Sequence, residues 1–295
     1  MTSIKAWSLI TVTYNNAEDL RRFAAGPLPA DVEWIVVDNH SRDESVKVAL
    51  SLGATVISLS ENAGFGRANN FGLRDATGAY VGFVNPDLRV NYDDLPTIAR
   101  LLDEAAQDCL VAPQLINPDG TAQPNGRGVP TVLRKLSNRL NLKNTGYRIY
   151  ANPGEQVYVA WAIGAAIFGK RATIDALGGW NEAFFVYYKD HDLGLRSWAH
   201  GIPMILTGDV RWVHGWARET TTLSLRPWLL EIHGASKFFR RYPGLLFSHR
   251  LLGRRYRRMN ELIGRSVAEI RTPDASTGEG EVPGDPPGAD GPVRA

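Results

Sequence analysis

Ser8-Leu-Ile-Thr-Val-Thr-Tyr-Asn-Asn16 and Glu33-Trp-Ile-Val-Val-Asp-Asn-His-Ser41 are the two stretches whose pattern decides the fold. Each opens as a short β-rich run and closes on polar residues, as a buried strand does when its carboxyl end faces a ligand. Ala54 to Leu59 and Ala79 to Val84 repeat the pattern. Between them, Ala17 to Ala25, Asp43 to Leu52 and Arg67 to Ala76 read as helices. The βαβαβαβ order predicts an α/β fold with a mostly parallel central sheet flanked by helices. Four polar strand ends, Thr13 to Asn16, Asp38 to Ser41, Glu61 to Gly66 and Asn85 to Asp87, are then expected to converge on one cleft.

Further along, a helix is expected from Asp93 to Gln107, a strand from Leu110 to Ala112, and a tight turn at Asn117-Pro-Asp-Gly120. Residues 121 to 153 mix Pro, Gly, Asn and Arg without periodicity, so a long loop with at most short helical pieces is expected there. Order resumes with Val157 to Phe168. A helix near Arg171 to Ala176 stops at Gly178-Gly179, and another near Asp190 to Ala199 ends before Gly201. The chain divides into a main domain over 1–242, a basic amphipathic helical extension over 243–270, and an acidic Pro/Gly-rich tail over 271–295.

Composition narrows the class. The 295 residues are 44% hydrophobic and 22% charged, an ordinary globular mix. The apolar stretch Val157 to Gly169 falls short of the ~18 to 20 residues that span a bilayer. No secretory signal is visible, and the single Cys109 supports neither a disulfide nor a thiol metal site, so a cytoplasmic protein is expected. The tail holds two Arg and five acids among 25 residues, ten of them Pro or Gly, so disorder is expected. The remainder carries 31 basic against 26 acidic residues. Lys237 to Arg265 has nine Lys or Arg against Glu261 alone, with Leu245, Leu246, Phe247, Leu251, Leu252 and Tyr256 interleaved. It fits a solvated helix face, or a dock for anionic membrane or a polyprenyl-diphosphate acceptor. Nucleic acid is not an expected partner, because the rest of the chain supplies no strong positive charge.

In order and spacing the polar clusters resemble glycosyltransferase family 2 on the GT-A nucleotide-sugar fold, especially its rhamnosyltransferase-like branch. The resemblance covers roughly residues 7 to 242. It is carried by Ile10-Thr-Val-Thr-Tyr-Asn15, Val36-Val-Asp-Asn39, Asn62-Ala-Gly-Phe-Gly66 with Asn70 and Gly72, and Asn85-Pro-Asp87, then by Gly178-Gly-Trp-Asn-Glu182 with Phe185, Asp190-His-Asp-Leu193 and Val213-His214. It implies an inverting, metal-dependent transferase. The sugar, rhamnose foremost, would pass from a dTDP- or UDP-linked donor to a hydroxyl of a glycan, a lipid-linked sugar or a natural product. The cofactor implied is Mn2+ or Mg2+, and the place of work the cytoplasm or the inner face of a membrane, reached through Lys237 to Arg265.

Residue by residue, Asp38 can accept from a pyrimidine N–H while the backbone beside Thr13, Tyr14 and Asn15 offers the complementary edge. Alternatively Asp38 and Ser41 form a turn, with Ser41 capping the next helix. Asn62, Gly64, Phe65 and Asn70 surround a helix start near Arg67, whose N–H groups suit a diphosphate or its sugar. The other reading is a loop whose glycines only satisfy positive φ. A dinucleotide fingerprint fails, since Asn69 stands at the third glycine. By the resemblance, Asn85 and Asp87 occupy a DxD-type metal motif, Asp87 and His214 are metal ligands, and Asp190 is the catalytic base. A displacement at a nucleotide-linked carbon needs one base and one cation, and the departing diphosphate needs no acid. Asp192, Trp161 and Gly164 border donor and acceptor, although Asp190 and Asp192 could merely cap a helix and Trp161 could be a core residue. Trp7, Trp34, Trp180 and Trp212 are expected to pack. Lys189 replaces an acid the family usually carries, and together with Asn85 it motivates a second reading, a catalytically silent sugar-nucleotide-binding or scaffold protein.

Overall fold

The computed structural model describes residues 5–22, 24–139, 146–215, 225–246 and 254–268. The first half follows the expected alternation: β1 Trp7–Thr13, α1 Ala17–Arg22, β2 Val32–Asp38, α2 Ser45–Ser51, β3 Thr55–Ser58, α3 Phe65–Asp75 and β4 Tyr80–Val84. These strands lie in the order β3-β2-β1-β4, all parallel. The register sets Thr13 opposite Asp38 and Asp38 opposite Ser58, so their polar ends open on one edge of the sheet. β1 is rich in β-branched residues and buried along nearly its whole length. Gly72 lets α3 settle on this sheet, because a Cβ there would stand 2.5 Å from Ile10.

The chain continues through β5 Leu88–Arg89, α4 Leu95–Glu104 and β6 Leu110–Ile116. β6 outruns the expected stop at Pro113. Proline cannot donate to a ladder, and the long strand β12 (Met204–His214) shifts its register between Thr207 and Arg211, opposite Pro113 and Gln114. The expected loop over 121–153 instead holds β7 Gly126–Arg127, α5 Val132–Arg139 and β8 Arg148–Ile149. Strands of two residues are too short to leave a periodic trace. This segment is anchored by Gln114, which donates to the carbonyls of Leu115 and Gln123 and to Asn125 Oδ1, and accepts from the Ala151 N–H.

β9 Gln156–Val159, β10 Trp161–Ala162, β11 Ala166–Lys170, α6 Arg171–Leu177, α7 Lys189–Ala199 and β12 follow, with α6 closed by Gly178 at φ 71°. β11 enters antiparallel between β4 and β6, and β12 carries β5 and β9 on its antiparallel sides. β10, β7 and β8 form a separate small sheet. The last described elements are α8 Leu225–Arg241 and α9 Arg257–Leu262. The tail beyond 268 lies outside the described residues.

Residues on both sides of position 242 share one core. Phe238, Tyr242, Leu245, Tyr256, Met259, Leu262 and Val267 pack with Phe168, Trp198 and Trp212. Most of the described apolar side chains of the basic segment therefore face inward rather than toward a lipid surface, while Arg254, Arg255, Arg257 and Arg258 stay exposed. Phe247, Leu251 and Leu252 lie outside the described residues. Among those described, no helix is long and apolar enough to cross a membrane.

Asp192 fastens this arrangement. It has no exposed surface, and its oxygens accept from Arg196 (3.2 Å), Arg241 (3.0 Å) and the Tyr242 hydroxyl (3.0 Å). Burial, with Asp192 nearby, raises the Tyr242 pKa far above its ordinary value, so that group stays a neutral donor. Asp192→Ala removes the carboxylate from half-exposed Arg241 and from Arg196, which keeps its bonds to the Leu177 and Gly179 carbonyls, and leaves the Tyr242 hydroxyl without its acceptor, so it is expected to cost about 1–3 kcal/mol in urea unfolding.

Candidate active site

The loops after β1 and β2 are locked to one another. The Asn15 N–H donates to Ser41 Oγ (2.9 Å) and the Arg42 N–H to Asn15 Oδ1 (2.7 Å). Asn15 and His40 adopt left-handed backbone at φ 56° and 69°, the sort of strain that concentrates at functional loops. Asp38 is 3% exposed and accepts the Ser41 N–H. Ser41 does not cap α2: Asp43 receives the Ser45 and Ala17 N–H groups instead. The backbone edge expected to meet a base is in use, since the Thr13 carbonyl accepts from Asn39 and the Tyr14 N–H donates to Asn16 Oδ1. What these loops present is the exposed Tyr14 ring and the Thr13 hydroxyl, buried without a partner among the described residues.

The third loop is organised from within. Asn39 bridges to it, donating to Asn62 Oδ1 (2.9 Å) and accepting from the Ala63 N–H (2.8 Å), while Asn62 Oδ1 also accepts from Gly64. Helix α3 starts at Phe65 rather than Arg67. Gly64, at φ 81°, admits Phe185, whose ring a Cβ would meet at 2.6 Å, and the Phe65 N–H donates to the Phe185 carbonyl. The Phe65 ring packs edge-on against Trp180 and under Lys189. Asn70, expected at the donor, is bonded to protein: its amide donates to the Trp180 carbonyl and Glu182 and accepts from the Trp180 N–H. It ties α3 to the Gly178–Glu182 turn.

Asn85 and Asp87 stand where β4 ends and β5 begins. The Asn85 N–H donates to the Ala165 carbonyl (2.9 Å), which fixes the fourth loop beside Gly164. β5 pairs with β12 so that His214 faces Leu88, and the Gly215 N–H donates to the Asp87 carbonyl (2.8 Å). This edge pairing brings His214 Nε2 to 3.4 Å from Asp87 Oδ1. Gln123 orients the imidazole. Its Nε2 donates to Asn117 Oδ1 and to the His214 carbonyl, so its Oε1 must accept from His214 Nδ1–H at 2.9 Å, and Nε2 is the nitrogen turned toward the carboxylate. Among the described residues no group of three or more His, Cys, Asp or Glu converges. Two protein donors suit a cation such as Mg2+ that completes its shell with water and substrate phosphate.

Asp190 lies in the first turn of α7, entered through Tyr188 at φ 68°. Its Oδ1 accepts from Lys189 Nζ at 2.6 Å, and Lys189 also sits 3.8 Å from the Phe65 ring centroid. The carboxylate rests on Gly164, where a Cβ would stand 2.5 Å from Oδ1. Gly164 adjoins the Ala165 carbonyl that holds Asn85, so Asp190 lies beside the loop that carries Asn85 and Asp87. Two residues expected at the acceptor are engaged by protein partners. Asp192 is turned into the core, and the Trp161 indole is stacked on His191 at 3.7 Å with its Nε1 bonded to the Gly128 carbonyl.

Against known proteins, residues 8–164 match the Glycosyl transferase family 2 profile. The chain belongs to glycosyl transferase family 2. Its sheet is the GT-A-like sheet of that family, and membership makes it a sugar-transferring enzyme that acts on nucleotide-sugar donors. It is 24% identical over 235 residues to the N-acetylglucosaminyl-diphospho-decaprenol L-rhamnosyltransferase of Mycobacterium tuberculosis, covering 72% of this chain and 76% of that one. It is also 24% identical over 203 residues to the hexosyltransferase Agl10 of Haloferax volcanii, which acts in low-salt glycan biosynthesis, covering 66% and 62%. Among solved structures, the mannosyltransferase PcManGT of Pyrobaculum calidifontis, in complex with GDP-Man and Mn2+, aligns with TM-score 0.54 at 19% identity, over 81% of this chain and 66% of that one. Staphylococcus aureus TarS 1-349 with UDP-GlcNAc aligns with TM-score 0.53 at 17% identity, over 74% and 61%. These likenesses concern the fold, and the chain spans about 60% of the TarS fragment.

Gln123 and Asn39 order the family 2 site yet carry no role in the expectations. Asn39 enters the resemblance only as part of a motif, and Gln123 falls in the segment expected to be a loop. No local signal marks either one, since each acts on a partner 91 or 23 residues away.

Proposed function

We propose that the protein is an inverting, divalent-metal-dependent glycosyltransferase that uses a dTDP- or UDP-linked sugar, with rhamnose the leading candidate. The acceptor is a hydroxyl of a glycan or lipid-linked sugar, a choice supported by the decaprenol-linked name of the mycobacterial relative. The supporting observation is the pairing of His214 Nε2 with Asp87 Oδ1, on the loop beside which Asp190 lies. In this reading Asp87 and His214 hold the cation, which supplies positive charge against the departing diphosphate. Asp190 takes the acceptor's hydroxyl proton as the new C–O bond forms opposite the breaking one, so the anomeric centre inverts. Lys189 occupies Oδ1 and steers Oδ2 to the acceptor. The exposed arginines of 254–258 give the protein an electrostatic hold on an anionic membrane surface at the cytoplasmic face.

The Lys189–Asp190 pair, with Asn85 in place of a carboxylate, favours the silent alternative. Hydrolysis and transfer across a panel of nucleotide sugars, with and without Mn2+, separate the two readings. Metal-stimulated turnover of a dTDP- or UDP-sugar is expected; binding without turnover of any donor overturns the enzymatic reading.

A further inference from the structure

We propose that the small sheet beside Asp190 is a phosphate site, with Arg127 and Arg148 as its cations, that receives an anionic group of the acceptor. The proposal rests on Asp190 being the base that the acceptor must reach. β7 lies between β8 and β10, so Arg127 stands directly opposite both Arg148 and Trp161. Directly opposed residues of antiparallel strands share a face, which makes one row of the indole and the two arginines.

Arg127 is 6% exposed, and among the described residues its guanidinium makes one hydrogen bond, a long 3.4 Å contact to the Gly126 carbonyl. Among the described residues the titratable groups that bear on it are Tyr147, Arg148 and Tyr150, with no carboxylate among them; the Tyr147 and Trp161 ring centroids lie 5.8 and 5.9 Å from the guanidinium, and burial lowers its pKa to about 10. A buried guanidinium without an anion is costly, which points to a ligand that supplies the missing charge.

A second observation lies on the same row. Trp161 stacks on His191, the residue after the base; His191 is 7% exposed, and neither of its ring nitrogens has a partner among the described residues. Tyr188 packs on the same imidazole and carries Lys135 Nζ 3.5 Å from its ring centroid. Arg127, Lys135 and Lys189 all bear electrostatically on His191. Forked guanidinium donors, a bare imidazole and further cations are the chemistry that recognises a phosphate or diphosphate.

The test is titration calorimetry of the full chain with inorganic pyrophosphate in EDTA, which keeps cations from the Asp87 side. The wild type is expected to bind, and Arg127→Met and Arg148→Gln each to weaken binding by about tenfold or more. Geranyl diphosphate binding more tightly than pyrophosphate assigns the phosphate to a lipid-linked acceptor; equal affinities assign it to a soluble one. Arg127→Met is also expected to raise Tm in anion-free buffer, because it removes a buried unpaired charge, whereas a purely structural arginine would lower it. Failure of the wild type to bind pyrophosphate, or undiminished binding by the variants, overturns the proposal. Should Arg127→Met not fold, the half-buried Arg148→Gln decides it alone. UDP and dTDP binding with Mn2+, measured on the same proteins, is expected to stay at the wild-type level. A wild type that binds no nucleotide defeats the donor reading instead and leaves the pyrophosphate result to stand by itself.

Discussion

Asp190→Asn is expected to keep donor affinity and to lose transfer by about 10²-fold or more, the range for removal of a general base. The substitution preserves shape, so the packing on Gly164 survives and what disappears is the capacity to take a proton. Lys189 loses its ionic partner but keeps its place over the Phe65 ring, so the entrance to α7 stays ordered. Single-turnover transfer, measured beside donor binding, checks the claim: the loss should appear in kcat, with the donor's dissociation constant unmoved. Undiminished turnover would remove Asp190 from the chemistry and leave its contact with Lys189 as a structural ion pair.

Asp87→Ala is expected to act on binding first. One carboxylate and one imidazole are a minimal grip on a divalent ion, so losing the carboxylate should weaken Mn2+-supported donor binding by about 10²-fold and lower turnover at least as much. Calorimetry of UDP- and dTDP-sugars with Mn2+ and with EDTA gives the comparison. In the wild type the two conditions should differ widely, and in the variant they should nearly coincide at the weaker value. Tight donor binding by the variant, indifferent to metal, would contradict the role given to Asp87 and His214.

How much of this was legible beforehand depended on whether the cause was local. The four N-terminal strands could be read because alternation and β-branched residues act within each run, and parallel pairing then placed their polar ends together. Gly178 marked the end of α6 because a left-handed cap favours glycine. Asp87 and His214 were expected together only through the resemblance; the edge pairing of β5 with β12, a long-range register, is what sets their side chains 3.4 Å apart. The strands of 126–127, 148–149 and 161–162 were not legible, since two residues show no period and the register comes from distant partners. The protein partners of Asn70, Trp161 and Asp192 were not legible for one reason: a polar or aromatic residue inside a motif reads as a ligand contact until its own neighbours are known. Here those neighbours are Trp180, His191 and Arg196.

The clasp on Asp192 bears on how the molecule can be trimmed. One carboxylate receives Tyr242 and Arg241 from the end of α8 while belonging to the same helical turn as Asp190. Cutting the polypeptide ahead of residue 241 would leave that carboxylate with Arg196 alone, beneath the turn that carries Asp190. A shortened version made for crystallography or engineering therefore risks blunting the chemistry at its floor, even with every cleft residue retained.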